Sequence, residues 1–363
     1  MDFIVEKEGK QFIDVTKVLS EDFKNGKKII WKDIEGGKIE IYIKKASGRA
    51  GHDSKKVILN RFIELDQLFF EGLGLWKGEG GKNKGLYFGN TSLEILLHFL
   101  SFVEQKIGLS RKEFKVTLNV PKIKITEKET KRNWSAKLEI PLINFTKVCI
   151  DLRINQEYAQ IYFNSIFLCE LLKSFYKKLQ SNVLQNKEYV ISFLKGVFAS
   201  EGAVVLKKSG IPHHVDISNK DLVFIDFVTE CFKKLEIERG KYFYEKGMKF
   251  PIHNRKNFEL LQKYEILKLS SEKESKFIEA LNKYQRYIVK GDEMQRLILK
   301  QLNPEPKTYD DISKALNKGR STIQSHYIPI LEKNGLIKRI GKRKQAWLFQ
   351  INERGKELLN DTL

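Results

Sequence analysis

Cysteine and proline are scarce in this chain, and no long apolar run occurs. The 363 residues include 3 Cys and 7 Pro. Cys149, Cys169 and Cys231 lie far apart in apolar surroundings, which excludes a disulfide framework or a zinc-binding spacing and predicts buried thiols in the reducing cytoplasm. No stretch reaches the ~20 apolar residues that span a bilayer, and the N-terminus lacks a signal-peptide core, so we expect no membrane association.

Acidic residues are too few to balance the basic ones. The chain has 66 Lys and Arg against 46 Asp and Glu, which gives a formal net charge of +20. A surplus of this size favours a polyanionic partner, most often nucleic acid. Double-stranded DNA is the expected ligand, although charge alone does not distinguish DNA from RNA.

The N-terminal residues read as a small β-rich module, residues 1–55. Alternating segments at 10–15, 27–34 and 38–46 predict strands, with a Gly-Gly turn between the last two. A polar linker follows at 47–56. A strongly apolar pattern then predicts a helix that starts near Asn60.

The main organisational feature is an internal repeat. Aligning Glu79-Gly80 with Glu201-Gly202 also aligns Gly74 with Gly196, and Asn90 with Asn219. Two copies result, residues 56–180 and 186–288, joined near residues 178–189. Each copy is predicted as helix, two strands, helix, two strands, helix. The first copy carries an extra segment near 121–150, in which TEKETKRNWSAK is expected to be an exposed loop.

Small residues line one face of each leading helix. Gly74 and Gly78 are four residues apart and therefore share a face, as do Gly196 and Ser200 in the second copy. Each helical glycine costs about 1 kcal/mol relative to alanine, so close packing between two helix backbones is the expected compensation. These four residues are predicted to form the interface between the repeats.

Both helices end in Glu-Gly. Gly80 and Gly202 suit the left-handed position after a helix C-terminus. Glu79 and Glu201 would then lie side by side at negative helix ends, where a divalent cation offsets their repulsion. Carboxylates with nearby oxygens from Gly78 and Ser200 suit Mg²⁺ or Mn²⁺, and such sites hydrolyse phosphodiesters. The alternative is that each glutamate simply ends its helix in solvent.

FLKGVFASEG (193–202) resembles the LAGLIDADG motif, and GLGLWKGEG (72–80) resembles a divergent copy. The family consists of homing endonucleases and related maturases. The resemblance implies an α+β fold in which two pseudo-symmetric αββαββα repeats form a saddle of two antiparallel sheets. It also implies a monomer with internal pseudo-twofold symmetry, catalytic metal ligands at Glu79 and Glu201, and cleavage of both strands of a long site. Two departures are Glu where the family favours Asp, and a short leading hairpin in the first repeat.

Basic strand positions are the candidate groove contacts in both repeats, although strand register decides which of them face DNA. They are Lys82, Lys84, Lys122, Lys124, Lys207, Lys208, His214, Lys241 and Lys246.

Residues 290–363 resemble a winged helix-turn-helix domain. Three helices precede two strands that flank a basic turn, and the third helix would enter the major groove. The turn would contact phosphates. The candidate DNA contacts of the helix and turn are Arg320, Ser321, Thr322, Gln324, Ser325, His326, Arg339, Lys342, Arg343 and Lys344.

These patterns favour a Mg²⁺-dependent, site-specific DNA endonuclease whose winged helix lengthens the footprint. One alternative is a non-cleaving transcription regulator on the same scaffold, as in WhiA-type proteins. Another is an RNA-binding maturase or RNA-processing factor.

Overall fold

The computed structural model describes most of the chain, in two compact units, Met1–Lys283 and Tyr284–Leu363. Among the described residues, no helix is long and apolar enough to cross a membrane. The described residues are 3–19, 22–23, 27–44, 53–81, 85–121, 126–208, 210–238, 240, 243–244, 248–283 and 291–360.

The N-terminal residues form two small antiparallel sheets, with orders β1-β2-β7 and β3-β4-β5-β6. The three strands predicted from alternation are present as β2, β4 and β5, and the Gly-Gly turn joins the last two. The strands are β1 (Ile4–Lys7), β2 (Lys10–Asp14), β3 (Asp22–Phe23), β4 (Lys27–Ile34), β5 (Lys38–Lys44), β6 (Val57–Asn60) and β7 (Phe62–Glu64).

The prediction of a helix starting near Asn60 is wrong. β6 and β7 occupy this segment, because β6 pairs with β5 and β7 pairs with β2. The helix begins only at Gln67, where the Asp66 side chain accepts a hydrogen bond from the Phe69 amide at 3.0 Å. An apolar run therefore starts as strand and becomes helix at its N-cap.

The first repeat places four helices around one four-stranded sheet, whose order is β10-β9-β11-β8. A π-helical segment at Val103–Ile107 extends the second helix. The elements are α1 (Gln67–Glu79), β8 (Leu86–Asn90), α2 (Leu93–Phe102), β9 (Lys115–Val120), α3 (Glu127–Leu138), β10 (Phe145–Ile150), β11 (Tyr158–Phe163) and α4 (Ile166–Gln185).

This repeat departs from the predicted order in its inserted segment. The expected loop is the helix α3, which starts with a capping box formed by Thr126 and Glu129 and buries Trp134. After this helix the chain returns as β10, parallel to β9, so the sheet is not wholly antiparallel. The leading hairpin is reduced to β8 and a single bridge between Gly81 and Tyr87.

The second repeat follows the predicted order of helices and strands. Its sheet, β12-β13-β15-β14, is antiparallel throughout. The expected link near 178–189 is mostly helical, because α4 continues to Gln185 and only Asn186 separates it from α5. The elements are α5 (Lys187–Glu201), β12 (Gly202–Leu206), β13 (Pro212–Asn219), α6 (Leu222–Lys234), β14 (Phe243–Tyr244), β15 (Met248–Ile252), α7 (Arg255–Lys263) and α8 (Ser271–Lys283).

One hydrophobic core runs from the N-terminal sheets through both repeats. Ten consecutive residues of α1, Phe69–Gly78, are buried, and α5 is buried almost as completely. Helices that are apolar on all sides belong in an interior, and here they form the centre of the unit. Of the cysteines, Cys169 and Cys231 are buried as predicted, whereas Cys149 is only half-buried.

The second unit has its own core, in which Ile312, Ile323, Leu331 and Phe349 are buried. Its sheet order is β16-β18-β17. The third helix runs without a break from Arg320 to Lys333 through a π-helical turn. The elements are α9 (Gly291–Leu302), β16 (Lys307–Thr308), α10 (Tyr309–Ala315), α11 (Arg320–Thr322), α12 (Ile328–Lys333), β17 (Ile337–Arg343), β18 (Ala346–Ile351) and α13 (Glu353–Asn360).

Candidate functional site

The helices α1 and α5 contact each other along their small-residue faces. A Cβ atom on Gly74 would lie 3.2 Å from Gly196 Cα, and one on Gly196 would lie 2.8 Å from the Leu75 nitrogen. A Cβ on Gly78 would lie 2.8 Å from Ser200 Cβ. Because the opposing atoms are mostly backbone, the seam has no room for side chains at these glycines. The structure thus brings together all four residues predicted for the repeat interface.

Gly80 and Gly202 are not left-handed, so that part of the prediction is wrong. Both are extended, with φ/ψ of −67°/141° and −79°/145°. Glycine is needed there for steric reasons. A Cβ on Gly80 would lie 2.8 Å from Trp76 Nε1, and one on Gly202 would lie 2.7 Å from the Phe198 carbonyl oxygen. The chain turns straight from each helix into strand geometry.

The two glutamates end the two seam helices and are held in the same way. Asn90 Nδ2 donates to Glu79 Oε2 at 2.6 Å, and Asn219 Nδ2 donates to Glu201 Oε1 at 2.7 Å. Each asparagine ends a strand, and its Oδ1 accepts the backbone N–H two residues later. The paired asparagines were visible in the repeat alignment, but their role as carboxylate clamps was not predicted.

The carboxylates are close enough for their charges to interact. Protein atoms crowd the Glu79 carboxylate, although the residue as a whole is exposed. This burial raises the pKa of Glu79 from 4.5 to about 7; the Asn90 hydrogen bond opposes the rise, the charge of Glu201 adds to it, and Lys273 lowers it. A Cβ on Gly78, next to Glu79, would lie 3.0 Å from Glu201 Cγ.

Lys273 is a positive charge at this site that sequence reasoning missed. Its Nζ donates to the carbonyl oxygens of Ala199 at 2.7 Å and Phe198 at 3.0 Å, at the C-terminal end of α5. Burial lowers the pKa of Lys273, while both glutamates favour its charged form. No local motif distinguishes this lysine from the others in a polar helix; only the packing of α8 reveals it.

Two polar contacts join the repeats beside the glutamates. Lys77 Nζ lies 2.7 Å from Asp221 Oδ2, and Asp221 also caps α6. The amide and hydroxyl of Ser271, at the start of α8, both donate to Glu94 Oε2 of the first repeat, at 3.1 and 2.8 Å. These contacts fix the helix that carries Lys273 with respect to both halves of the site.

The donor set suits a hard divalent cation bridging two carboxylates. Asn90 occupies one oxygen of Glu79 and leaves Oε1 outside that hydrogen bond. The Ser200 hydroxyl donates to the carbonyls of Gly196 and Val197, so Ser200 and Gly78 could contribute only backbone carbonyls. In the part of the chain that the structure describes, no cluster of three or more His, Cys, Asp or Glu is arranged to hold a metal. Glu79 and Glu201 are a pair, and water or substrate oxygens would complete the coordination.

The raised pKa of Glu79 predicts a pH-dependent stability. The pKa is about 7 in the folded protein and close to 4.5 unfolded, so between these values the folded state binds more protons. The free energy of unfolding should therefore fall as the pH rises through this range. Because Glu79 is exposed, we discount the full linkage to about 1–2 kcal/mol.

Urea denaturation at pH 5 and pH 8 in EDTA checks this prediction. The fall should be smaller in Glu79→Gln by about 1–2 kcal/mol, since glutamine does not titrate. An identical pH dependence in the wild type and the variant would contradict it.

The candidate DNA residues of the repeats fall into two groups. Lys82, Lys84, Lys122, Lys124, Lys241 and Lys246 lie outside the described residues. Lys207 and Lys208 are exposed in the turn between β12 and β13, and His214 is half-buried on β13.

In the second unit, polar residues of the third helix are exposed, but several arginines are already paired. Arg320 lies 3.2 Å from Asp310, Arg339 lies 2.6 Å from Glu332, and Arg343 contacts Asp311. Lys342 instead lies over the Trp347 ring, at 4.6 Å from its centre. The exposed candidates here include Ser321, Thr322, Gln324, Ser325, His326, Lys342 and Lys344.

The comparisons with known families follow this geometry. Residues 188–302 match the family model of a LAGLIDADG-like domain. This match supports the predicted LAGLIDADG resemblance where the motif is strongest, from the start of α5 to the end of α9. No curated protein matches the chain.

Solved structures of LAGLIDADG proteins are similar at low identity. The homing endonuclease I-DmoI in complex with DNA and Mn is 15% identical, with a TM-score of 0.36, and the match covers 56% of this chain and 97% of that one. The LAGLIDADG domain of WhiA is 15% identical, with a TM-score of 0.35, and the match covers 57% and 86%. Full-length WhiA from Thermatoga maritima is 14% identical, with a TM-score of 0.37 and coverages of 74% and 91%.

Proposed function

We propose that this protein is a metal-dependent, site-specific DNA endonuclease built on two LAGLIDADG-like repeats. The observation that carries the proposal is the carboxylate pair. Glu79 and Glu201 lie at the ends of two helices in backbone contact, and each is held by an equivalent asparagine. Burying like charges side by side is unfavourable unless a cation compensates for them.

The chain's own groups have defined roles in this proposal. Glu79 and Glu201 would hold Mg²⁺ or Mn²⁺, which supplies charge stabilisation and an activated water for phosphodiester hydrolysis. The asparagines orient the carboxylates. Lys273, fixed by two carbonyls, adds positive charge beside the position where the scissile phosphate would lie and limits the repulsion between the acids.

Duplex DNA is the proposed substrate. The net charge of +20 favours a polyanion. In our proposal the two sheets form a saddle on the major groove, with base contacts from the second-repeat hairpin that carries Lys207 and Lys208. The C-terminal unit would act as a winged helix, with Gln324 and Ser325 toward the bases and Lys342 on a phosphate. Covalent linkage raises the effective concentration of each module at the site.

Cleavage of a randomised duplex library in Mg²⁺ tests the proposal, with EDTA as the blank. Enrichment of cut molecules around one long sequence is the expected result. Structure determination with Mn²⁺ should place metal density between Glu79 and Glu201. Binding to duplex DNA without cleavage in Mg²⁺ or Mn²⁺ would contradict the nuclease.

One observation favours a second candidate, a non-cleaving DNA-binding regulator. The leading hairpin of the first repeat is reduced to β8 and one bridge, whereas the second repeat has a full β12–β13 hairpin. The first half therefore has less strand surface for reading bases. Sequence-specific binding without cutting would support this candidate, and tighter binding to structured RNA would support the maturase.

The basic turn of the second unit gives a quantitative prediction. Lys342→Ala should weaken DNA binding and flatten the salt dependence by about 0.9 in the slope of log K against log salt, the value for one lost phosphate contact. Fluorescence anisotropy between 50 and 200 mM salt, the range over which phosphate contacts dominate, measures the slope. Lys333→Ala, an exposed lysine at the end of α12, is the matched control. An unchanged slope in Lys342→Ala would exclude this contact.

A further inference from the structure

Three of the six histidines in the chain gather on the sheet of the second repeat, away from any residue used above except His214. The ring centres of His213, His214 and His253 are 4.7, 5.4 and 6.0 Å apart. Chain neighbours on a regular strand point to opposite faces, so the proximity of the first two rings needs an explanation.

A β-bulge provides it. His214 pairs with Val205, but the next pair along the ladder is Pro212 with Leu206, so His213 is the extra residue. A bulge of this kind re-aims side chains that alternation would separate. His253 follows β15, directly beyond the pair formed by Val215 and Ile252.

Hydrogen bonds fix which ring nitrogens are free. His214 Nε2 lies 3.4 Å from the carboxylate of Asp216, whose residue is only 3% exposed. This contact favours the proton on Nε2 and leaves a lone pair on Nδ1. His253 Nδ1 faces the His213 carbonyl oxygen at 3.4 Å, which similarly leaves its Nε2 without a proton. A carboxylate or a carbonyl behind an imidazole is the usual support of a metal-binding histidine.

The remaining contact is between two ring nitrogens. His213 Nδ1 and His214 Nδ1 are 2.9 Å apart, so they share either a proton or a cation. With metal–nitrogen distances of about 2.0–2.1 Å, this separation subtends about 90°. Such an angle suits the tetragonal geometry of Ni²⁺ or Cu²⁺ better than tetrahedral Zn²⁺. Burial lowers the pKa of His214, and the neighbouring histidines add to this effect, so the ring is neutral, the form that binds metals.

We propose that His213, His214 and His253 form a binding site for a late first-row divalent cation such as Ni²⁺ or Cu²⁺, separate from the glutamate pair. Binding releases the proton shared by the first two rings to solvent. The three rings do not yet surround one centre, so His253 must turn. Its present contact, at 3.4 Å, is long for a hydrogen bond, and its ring lies against Gly240, where a Cβ would come within 2.9 Å.

Calorimetric titration of the tag-free, EDTA-treated protein with NiCl₂ tests the proposal. The wild type should bind one equivalent saturably and melt at a higher temperature with Ni²⁺. His214→Gln and His253→Gln should each bind at least about 10-fold more weakly, and Asp216→Asn, which removes the support, about 10-fold more weakly. His326→Gln, an exposed histidine of the other unit, is the matched control.

Two outcomes would overturn the site. One is the absence of saturable binding by the wild type, and the other is unchanged affinity in the double variant His213→Gln/His214→Gln. Melting curves in EDTA verify that each variant is folded. Glu201→Gln should bind Ni²⁺ like the wild type, so this site and the proposed nuclease centre can fail independently.

Discussion

Glu201→Gln is expected to lower Mg²⁺-dependent DNA cleavage by about 10³-fold, the scale for losing one electrostatic contributor at a catalytic centre. Glutamine keeps the shape of the side chain and an oxygen that accepts from Asn219 Nδ2. It removes the charge that would hold the cation. Glu79→Gln should have a similar effect, because the two carboxylates are arranged equivalently.

The measurement is single-turnover cleavage of the selected duplex, with binding followed in parallel. Both variants should retain DNA affinity within a few fold, since they remove negative charge and leave the basic surface intact. Glu279→Gln, an exposed glutamate on α8, is the matched control and should cut normally. Retained cleavage in either site variant would exclude the carboxylate pair as the reaction centre.

Gly196→Ala is expected to destabilise the first unit by about 3 kcal/mol or more, at the upper end of the cost of overpacking. The added Cβ would meet the Glu71 carbonyl oxygen and would lie 2.8 Å from the Leu75 nitrogen. Both are backbone atoms inside a buried helix, so they cannot turn away as a side chain would. α1 and α5 would have to separate, which also moves Glu79 away from Glu201.

Urea denaturation measures the loss, and the cleavage assay under conditions where the variant is folded should show a further defect. Gly341→Ala is the control for the substitution itself, because a Cβ there meets nothing within 4 Å and it should change stability by less than about 0.5 kcal/mol. A stability close to that of the wild type in Gly196→Ala would mean that the helices are not locked at this contact.

The sequence anticipated features that depend on periodicity and repetition. Glycines four residues apart define a face whatever surrounds them, and aligning the two Glu-Gly endings identified the residues that meet across the seam. The strands β2, β4 and β5 followed from alternation. Features that depend on competition between partners were missed. Residues 57–64 are apolar enough for a helix, yet N-terminal strands recruit them into sheets.

The inserted segment of the first repeat shows the same limit. TEKETKRNWSAK is polar, which favoured a loop, but its capping box and the burial of Trp134 make it a helix. The parallel pairing of β10 with β9 was not foreseeable either, because pairing direction depends on the path the intervening chain takes.

By itself, the sequence determined that this is a basic protein with two related halves, each with a small-residue helix that ends in glutamate. Those properties reside in residue type and spacing. Only the tertiary structure decided that Lys273 lies beside the glutamates, that Asn90 and Asn219 clamp them, and that a bulge turns His213 toward His214. Each depends on side chains distant in sequence or on strand register, and both are set by packing rather than by local pattern.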